Sequence, residues 1–359
     1  MWIAFAFVVQ VTLSSFTALY PDYSWILWER TVKTFVLFFV AAMLINSKVR
    51  MQALLWILAI SLGYFSTKGV MDTLSSGGKN VLTGPPGTMI ADNNHLALSL
   101  VILLPILNYL RATSVNKLVR LALVAVLAFT VIAIITSYSR GALVALPIAA
   151  LAFLRSFKGR VLLLILLASI SLFVINVMPE KWHGRVTTLE SVETIQEDRS
   201  FSGRMDAWTV SLKLAMSRPL TGGGFSAVQH AATFMRFLPD ATRGRAAHSI
   251  YFQVLGDHGF VGLALYLMIF ISVWLHLRRT LQRARLHSGL EWANQLAKML
   301  QISILVFLVG GAALSVAYHD LIWLILVISM NLDIITEKKI RKIEHPISPT
   351  NQRYVPQMQ

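Results

Sequence analysis

The sequence contains no cysteine and few charged residues, and these two shortages exclude several kinds of protein. Without cysteine the chain forms no disulfide bond and offers no thiolate to a metal ion. Charged residues make up only 14% of the 359 residues, whereas hydrophobic residues make up 56%. A soluble domain of this length carries more charge, so the composition favours a protein with many membrane-spanning segments.

Several catalytic motifs are also missing. The chain has no HExxH, no Asp-x-Asp pair and no group of histidines at ligand spacing, so the sequence predicts no metal site. It has no GxSxG, Walker or dinucleotide-binding motif, which leaves hydrolase, NTPase and dehydrogenase functions without support. We therefore expect neither a metal ion nor another cofactor.

The basic residues are unevenly distributed along the chain. The net charge is +15, and five segments together hold 18 Lys or Arg against three Glu: 48–50, 111–120, 155–160, 278–298 and 337–359. That excess accounts for the whole net charge. Because loops on the cytoplasmic side of a membrane are rich in Lys and Arg, we place these segments in the cytoplasm and expect no nucleic-acid partner.

Ten apolar runs are each close to the roughly 17–25 residues that a membrane-spanning helix needs. They are residues 1–18, 31–47, 51–66, 93–110, 118–136, 137–154, 160–178, 259–277, 299–316 and 318–335. Threading them alternately through a membrane places every basic cluster, and both termini, on one side.

The predicted fold class is therefore an all-α polytopic membrane protein. Residues 1–178 would form spans one to seven with an external loop at 67–92, and residues 259–336 would form spans eight to ten. Residues 179–258 would form one large external loop, and residues 337–359 a disordered cytoplasmic tail.

The large loop is the only long polar interval of the sequence and is predicted to contain amphipathic helices. One helix would begin with Ser202 as its N-cap, carry Arg204 in its first turn on the same face as Trp208, and end before Pro219. A second helix would begin at His248 and enter the membrane after Gly259.

Two arginines and a histidine are the main candidates for chemistry. Arg140 lies about one turn inside the external boundary of its span, where an arginine either snorkels to the interface or binds an anion. Arg204 either forms a surface ion pair or, with the free N–H groups of its first helical turn, binds an anion. His248 either caps a helix or acts as a general base, and Asp257 and His258 are further candidates of the same kind.

Two arginines suit a lipid diphosphate, because each planar guanidinium can donate to two phosphate oxygens. Gly141, next to Arg140, would allow a ligand or a neighbouring helix to approach the backbone. Residues 92–95 (DNNH) follow a turn at 84–87 and are predicted to cap the next helix.

Four motifs together resemble the O-antigen ligase and polymerase superfamily: SYSRGAL at 137–143, GR at 203–204 with Trp208, PLTGGGF at 219–225, and HSIY at 248–251 with Gly259. Three further segments resemble, within it, the O-glycosylation ligases associated with exosortase A systems: GPPG at 84–87 with IADNN at 90–94, MPEKW at 178–182, and AAHSIYFQVLGDHGFVGL at 246–263. The match covers most of residues 20–280, and its C-terminal block is specific.

The resemblance implies a metal-independent glycosyltransferase of the C-type (GT-C-like) architecture in the bacterial inner membrane, with the loop 179–258 in the periplasm. Such enzymes transfer a glycan from undecaprenyl diphosphate to a periplasmic acceptor, either the lipid A core of lipopolysaccharide or a protein hydroxyl. The resemblance also implies that Arg140 and Arg204 bind the diphosphate and that His248 activates the acceptor.

Four residues in or beside the same motifs are predicted to bind substrate as well: Ser139, Trp208, Arg245 and Asn93. Members of the superfamily usually have about two spans more than the ten predicted here, so the resemblance implies further spans upstream of Met1.

We expect direct displacement at the anomeric carbon with inversion. The leaving diphosphate is already a stable anion, so it needs cations rather than a general acid. The pattern is also compatible with a polymerase that extends an O antigen or exopolysaccharide on its carrier, with a transporter of the lipid-linked glycan, and with a non-catalytic scaffold of the export machinery. A transporter would favour ionisable residues near mid-bilayer, and the predicted spans have almost none.

Overall fold

The computed structural model of the protein describes residues 1–76, 82–154, 160–161, 164–165 and 193–344. Within these ranges the chain forms eleven α-helices, one 3-10 helix (Ala227–Gln229) and no strand, which confirms the all-α prediction. The helices are α1 (Trp2–Phe16), α2 (Pro21–Leu44), α3 (Lys48–Ser76), α4 (Asn93–Thr113), α5 (Lys117–Thr136), α6 (Arg140–Leu154), α7 (Glu193–Ser217), α8 (Ala231–Phe237), α9 (Ile250–Ala284), α10 (Glu291–Gly311) and α11 (Asp320–Glu344).

Helix α4 lies at the centre of the bundle. Every residue from Leu96 to Leu110 is buried, and α3, α5, α6 and α10 pack around the helix. A helix that is apolar on all sides is stable only when it is surrounded, so the continuous apolar run explains this position. The Asp92 carboxylate caps the helix by accepting the N–H groups of Asn94 and His95, which confirms the predicted cap.

The outer helices expose large apolar side chains. They lie on α2, α3, α5 and α6, and examples are Leu37, Met43, Ile57, Ile60, Leu118, Leu121 and Val144. Exposure on this scale is unfavourable in water and neutral in lipid. Within the described ranges, five helices are long and apolar enough to cross a membrane: α3, α4, α5, α9 and α10.

These observations indicate an integral membrane protein, while the count of ten spans stays a prediction. Several helices run beyond the predicted spans, and α3 continues through residues 67–76 of the predicted external loop. The predicted span 160–178 lies almost wholly outside the described residues.

Two boundary predictions are wrong. Helix α7 begins at Glu193, so Ser202 lies inside the helix instead of capping it, and Arg204 is not in the first turn. The preceding residues include good helix formers and no proline, so helix propensity outweighs the potential cap at Ser202. The predicted disorder of the tail is wrong for residues 337–344, which form the last turns of α11. Glu337 and Arg341 form an ion pair one turn apart in this part of the helix.

Segments predicted to be cytoplasmic meet at one end of the bundle. The ammonium groups of Lys48 and Lys339 both lie over the ring of Trp292, at 5.0 and 5.6 Å from its centroid. Arg283 pairs with Glu337 at 3.9 Å at the same end. The side of the membrane that this end faces stays a prediction, but its basic residues share one end of the fold.

Helix α9 is interrupted at Gly259, where φ is 68° and the backbone leaves the helical conformation. The segment that follows α7 packs into this break through three backbone hydrogen bonds. Gly223 and Gly224 donate to the carbonyl groups of Gly256 and Asp257, both at 2.9 Å, and Phe260 donates to the carbonyl of Pro219 at 2.9 Å. The end of α7 is thereby attached to the middle of α9.

Replacing Gly259 by alanine should lower the melting temperature of the detergent-solubilised protein. The left-handed backbone strains any residue with a side chain, and a Cβ there would lie 2.5 Å from the carbonyl oxygen of Pro219. We expect the strained backbone to lower the free energy of unfolding by about 1–3 kcal/mol, and the collision to lower it further. The matched control is Gly289→Ala, because Gly289 has φ of 81° but no neighbouring atom within 4 Å of a new Cβ. Equal melting temperatures for the two variants would contradict the role given to the break.

Candidate active site

His248 precedes α9 and has φ of 45°, in the left-handed region that residues other than glycine rarely adopt. Its backbone N–H donates to Ser315 Oγ at 2.9 Å. The carbonyl of the preceding residue, Ala247, accepts the indole N–H of Trp208 at 2.7 Å. Both bonds hold the same peptide group, the one between Ala247 and His248, from its two edges. The positive φ that follows it is a strained conformation of the kind often found at functional sites.

A cavity of about 330 Å³ lies beside His248. Three arginines contribute to its wall, and the complete lining is Gly203, Arg204, Arg243, Gly244, Arg245, Ala246 and His248. The wall therefore combines one helix, α7, with the segment that leads into α9. Its charge makes the cavity suited to an anion.

Arg140 and Arg204 come close enough to repel each other. Burial lowers the pKa of Arg204, and the positive charge of Arg140 lowers this pKa further. Like charges that approach in a partly dehydrated place raise the energy of the folded protein, and a bound anion would reverse that cost. The fold thus brings together, from α6 and α7, the two arginines that are predicted to bind the diphosphate.

Arg140 is the first residue of α6, so the helix amino terminus predicted beside Arg204 belongs instead to Arg140. Ser139 caps the helix by accepting the N–H of Ala142 at 3.4 Å. Tyr138 has φ of 58°, which turns the chain sharply before the cap. A helix amino terminus carries partial positive charge, so an arginine there adds to the local positive potential.

The other predicted substrate-binding residues take part in structural contacts at the site. Asn93 donates its side-chain N–H to the carbonyl of Ser137 at 2.8 Å and so ties α4 to the turn before Arg140. Trp208 stacks on Phe252 with ring centroids 4.8 Å apart, and the Arg245 guanidinium packs directly over Gly203. Substrate binding by Ser139, Asn93, Trp208 and Arg245 stays a prediction.

Gly141 serves helix packing. A Cβ at this position would lie 3.0 Å from Leu314 and 3.4 Å from the carbonyl oxygen of Gly310. The sequence predicted either a ligand or a neighbouring helix beside Gly141. The structure places a helix there, α10. This contact fixes the start of α6, and Arg140 with it.

The surroundings of His248 favour its neutral form. The imidazole is exposed by surface area but lies in a concave site, and the partial loss of water lowers the pKa of His248. The charge of Arg204 lowers this pKa further, Asp92 opposes the shift, and His95 adds to it. A neutral imidazole can accept a proton, which a general base must do.

Asp257 and His258 are not placed to act on a substrate. Asp257 accepts the Ser226 N–H at 2.9 Å and the Tyr318 hydroxyl at 3.0 Å, and only 3% of its surface is exposed. His258 is fully buried, with its Nδ1 2.9 Å from Ser14 Oγ. Both side chains join α9 to neighbouring segments, which explains their positions without catalysis.

Sequence reasoning missed Ser315 and assigned Asp92 and His95 only to a helix cap. Ser315 lies in the short connection between two apolar helices, where no sequence motif marks it. Asp92 and His95 influence the pKa of His248, although they are far from it in sequence. Among the residues that the structure describes, no group of three His, Asp or Glu side chains is placed to hold a metal ion.

Arg140, Arg204 and His248 all lie in one segment that resembles a known family. Residues 123–267 match the family model described as O-Antigen ligase. Residues 1–115, which include Asp92, Asn93 and His95, match a model described as a family of unknown function, DUF5935. A search of curated proteins finds no match to the chain. The O-antigen ligase similarity agrees with the superfamily resemblance of the motifs, and the association with exosortase systems stays a prediction.

The cavity predicts binding of inorganic pyrophosphate. Pyrophosphate should raise the melting temperature of the protein, and Arg204→Gln should weaken this binding about 10- to 100-fold, because a charge-assisted hydrogen bond contributes about 1.5–3 kcal/mol. The matched control is Lys213→Gln, which removes the same charge from the exposed face of the same helix, where Lys213 donates to the Phe237 carbonyl. If Arg204→Gln and Lys213→Gln respond equally to pyrophosphate, the cavity is not the anion site.

Proposed function

We propose that the protein is a glycosyltransferase of the inner membrane that transfers an oligo- or polysaccharide from undecaprenyl diphosphate to an acceptor hydroxyl in the periplasm. One observation carries the proposal. Arg204 and His248 come from separate parts of the chain and line one positively charged cavity, and Arg140, from a third part, lies close enough to lower the pKa of Arg204. The similarity to O-antigen ligases covers all three residues.

The charges in this region suit the donor. A lipid diphosphate carries its anionic group at the membrane surface, next to its hydrocarbon chain. Guanidinium groups at the end of an apolar bundle can hold the diphosphate while the hydrocarbon stays in lipid. We assign this binding role to Arg140 and Arg204, with Arg245 as a further cation in the cavity wall.

The reaction would be a direct displacement. The acceptor oxygen attacks the anomeric carbon, a new glycosidic bond forms, and the bond between that carbon and the diphosphate oxygen breaks with inversion. The acceptor proton passes to the neutral imidazole of His248. The bonding electrons leave with the diphosphate, whose growing negative charge is stabilised by the two arginines, so no general acid is needed.

The test is a transfer assay with the purified protein, a lipid diphosphate-linked glycan and three acceptors: lipid A core, a peptide containing serine and threonine, and a second lipid-linked glycan. Transfer to one of the first two supports a ligase. Transfer only to the lipid-linked glycan identifies a polymerase of the same chemistry. Binding of the donor without transfer to any acceptor would overturn the enzymatic proposal and favour a transporter or scaffold.

His248→Asn should lower kcat about 10²- to 10⁴-fold, the usual contribution of a general base, and leave donor binding intact. Asparagine tolerates the left-handed backbone, so the local fold is kept. In the unsubstituted protein, kcat/KM should decline at acid pH with a midpoint below the ordinary pKa of histidine, since burial and Arg204 lower the pKa of His248 and only the neutral form accepts a proton. The control is His287→Asn, at the opposite end of the bundle. Equal rates for the two variants would exclude His248 as the base.

Arg140→Gln should lower kcat about 10²- to 10³-fold, as expected when one donor to a developing negative charge is lost. Arg140→Lys should recover part of the rate, because lysine keeps the charge but cannot donate two parallel hydrogen bonds. The control is Arg120→Gln, whose arginine is exposed and donates to the carbonyl of Ser114. Near-normal transfer by Arg140→Gln would remove this arginine from the mechanism.

A further inference from the structure

Ser315 is the partner that holds the backbone of His248. Helix α9 begins at Ile250, so the N–H of His248 has no partner within that helix, and it donates to Ser315 Oγ at 2.9 Å instead. A left-handed conformation at a residue other than glycine persists only where its surroundings enforce it. The hydroxyl of Ser315 is one of the groups that do so.

The connection that carries Ser315 is itself attached to α9. The N–H of Ala317 donates to the side-chain oxygen of Gln253 at 3.1 Å, and the carbonyl of Ala317 accepts the hydroxyl of Tyr266 at 3.2 Å. Tyr318 donates to Asp257 at 3.0 Å. Three bonds therefore fix residues 312–319 relative to the helix that follows His248, and Ser315 is held in place to accept its bond.

The backbone conformation of His248 decides where its imidazole lies. If φ changed from 45° to the usual negative range, the Cβ would swing to another side of the chain and carry the ring with it. The φ angle of His248 is the rotation between the peptide group before it and the chain after it, which α9 fixes. Ser315 and Trp208 hold that preceding peptide group together, Ser315 at its N–H and Trp208 at its carbonyl. We propose that Ser315 is a positioning residue: by accepting the N–H of His248 it keeps the imidazole directed into the arginine-lined cavity. The inference rests on the proposed function, in which His248 is the base.

The experiment compares Ser315→Ala, which removes the acceptor, with Ser315→Thr, which keeps it. We expect Ser315→Ala to lower kcat about 10- to 100-fold, because a small displacement of a catalytic group has an effect of this size. The KM for the lipid-linked donor should change less than about threefold, since the arginines are untouched. Ser315→Thr should transfer at close to the normal rate. Ser329→Ala, in the neighbouring helix α11, is the matched control and should leave kcat unchanged.

Two readouts separate positioning from a general structural effect. In Ser315→Ala the acid limb of kcat/KM should move to higher pH, towards the ordinary pKa of histidine, as the released ring regains water. When His248 is already Asn, adding Ser315→Ala should lower kcat by less than about twofold, because the effect of Ser315 acts through the imidazole that is missing. A full additional loss, or an unchanged pH profile with reduced kcat, would overturn the proposal.

Folding and activity failures remain distinguishable. Melting temperature and its rise with inorganic pyrophosphate show whether each variant keeps its cavity. If Ser315→Ala does not fold, the second variant is Ser315→Cys, which has nearly the same shape and a weaker hydrogen-bond acceptor. It should give an intermediate kcat and an intermediate shift of the acid limb of kcat/KM. Normal values of both quantities would overturn the proposal. Absence of transfer by the unsubstituted protein refutes the proposed function, whereas normal kcat in Ser315→Ala in an active protein refutes only the role of Ser315.

Discussion

The position of α7 depends on the interruption of α9 at Gly259. At that point three backbone hydrogen bonds attach the segment 219–224 to α9, and near the other end of the contact Trp208 donates to Ala247. Hydrogen bonds at two separate places prevent α7 from sliding or rotating along α9. Since Arg204 lies on α7 and His248 precedes α9, this attachment determines how far the arginine lies from the histidine. Glycine is required at the break, because a side chain there would collide with the Pro219 carbonyl.

The site combines unfavourable features that have a common explanation. Arg140 and Arg204 repel each other, Arg140 stands at a helix amino terminus where an acidic residue is usually preferred, and His248 and Tyr138 adopt left-handed conformations. Each feature costs stability in the free protein. Each would be offset by a bound anion or would serve to direct a side chain, as expected of groups that are ordered before the substrate arrives. The surrounding apolar helices supply the stability that the site lacks.

The fold could be predicted from the sequence further than the site could. Long apolar runs predict helices that are buried in the protein or face lipid, so nine of the described helices overlap predicted spans, while α7 and α8 lie in the predicted external loop. Helix boundaries depend on weaker, local preferences, and one predicted boundary was wrong for that reason. Ser202 could cap a helix, yet the helix formers before it extend α7 to Glu193. The helix amino terminus at the site accordingly belongs to Arg140 and not to Arg204.

Residue types and motifs by themselves predicted a shared function for Arg140, Arg204 and His248, because arginine suits a diphosphate and imidazole suits a base near neutral pH. They also determined the apolar class of the protein and the resemblance to O-antigen ligases. Only the tertiary structure decided that α6 and α7 bring the two arginines together, that Asp257 and His258 are buried, and that Ser315 holds His248. The physical reason is that these contacts join residues far apart in the chain, and their distances depend on how whole helices pack.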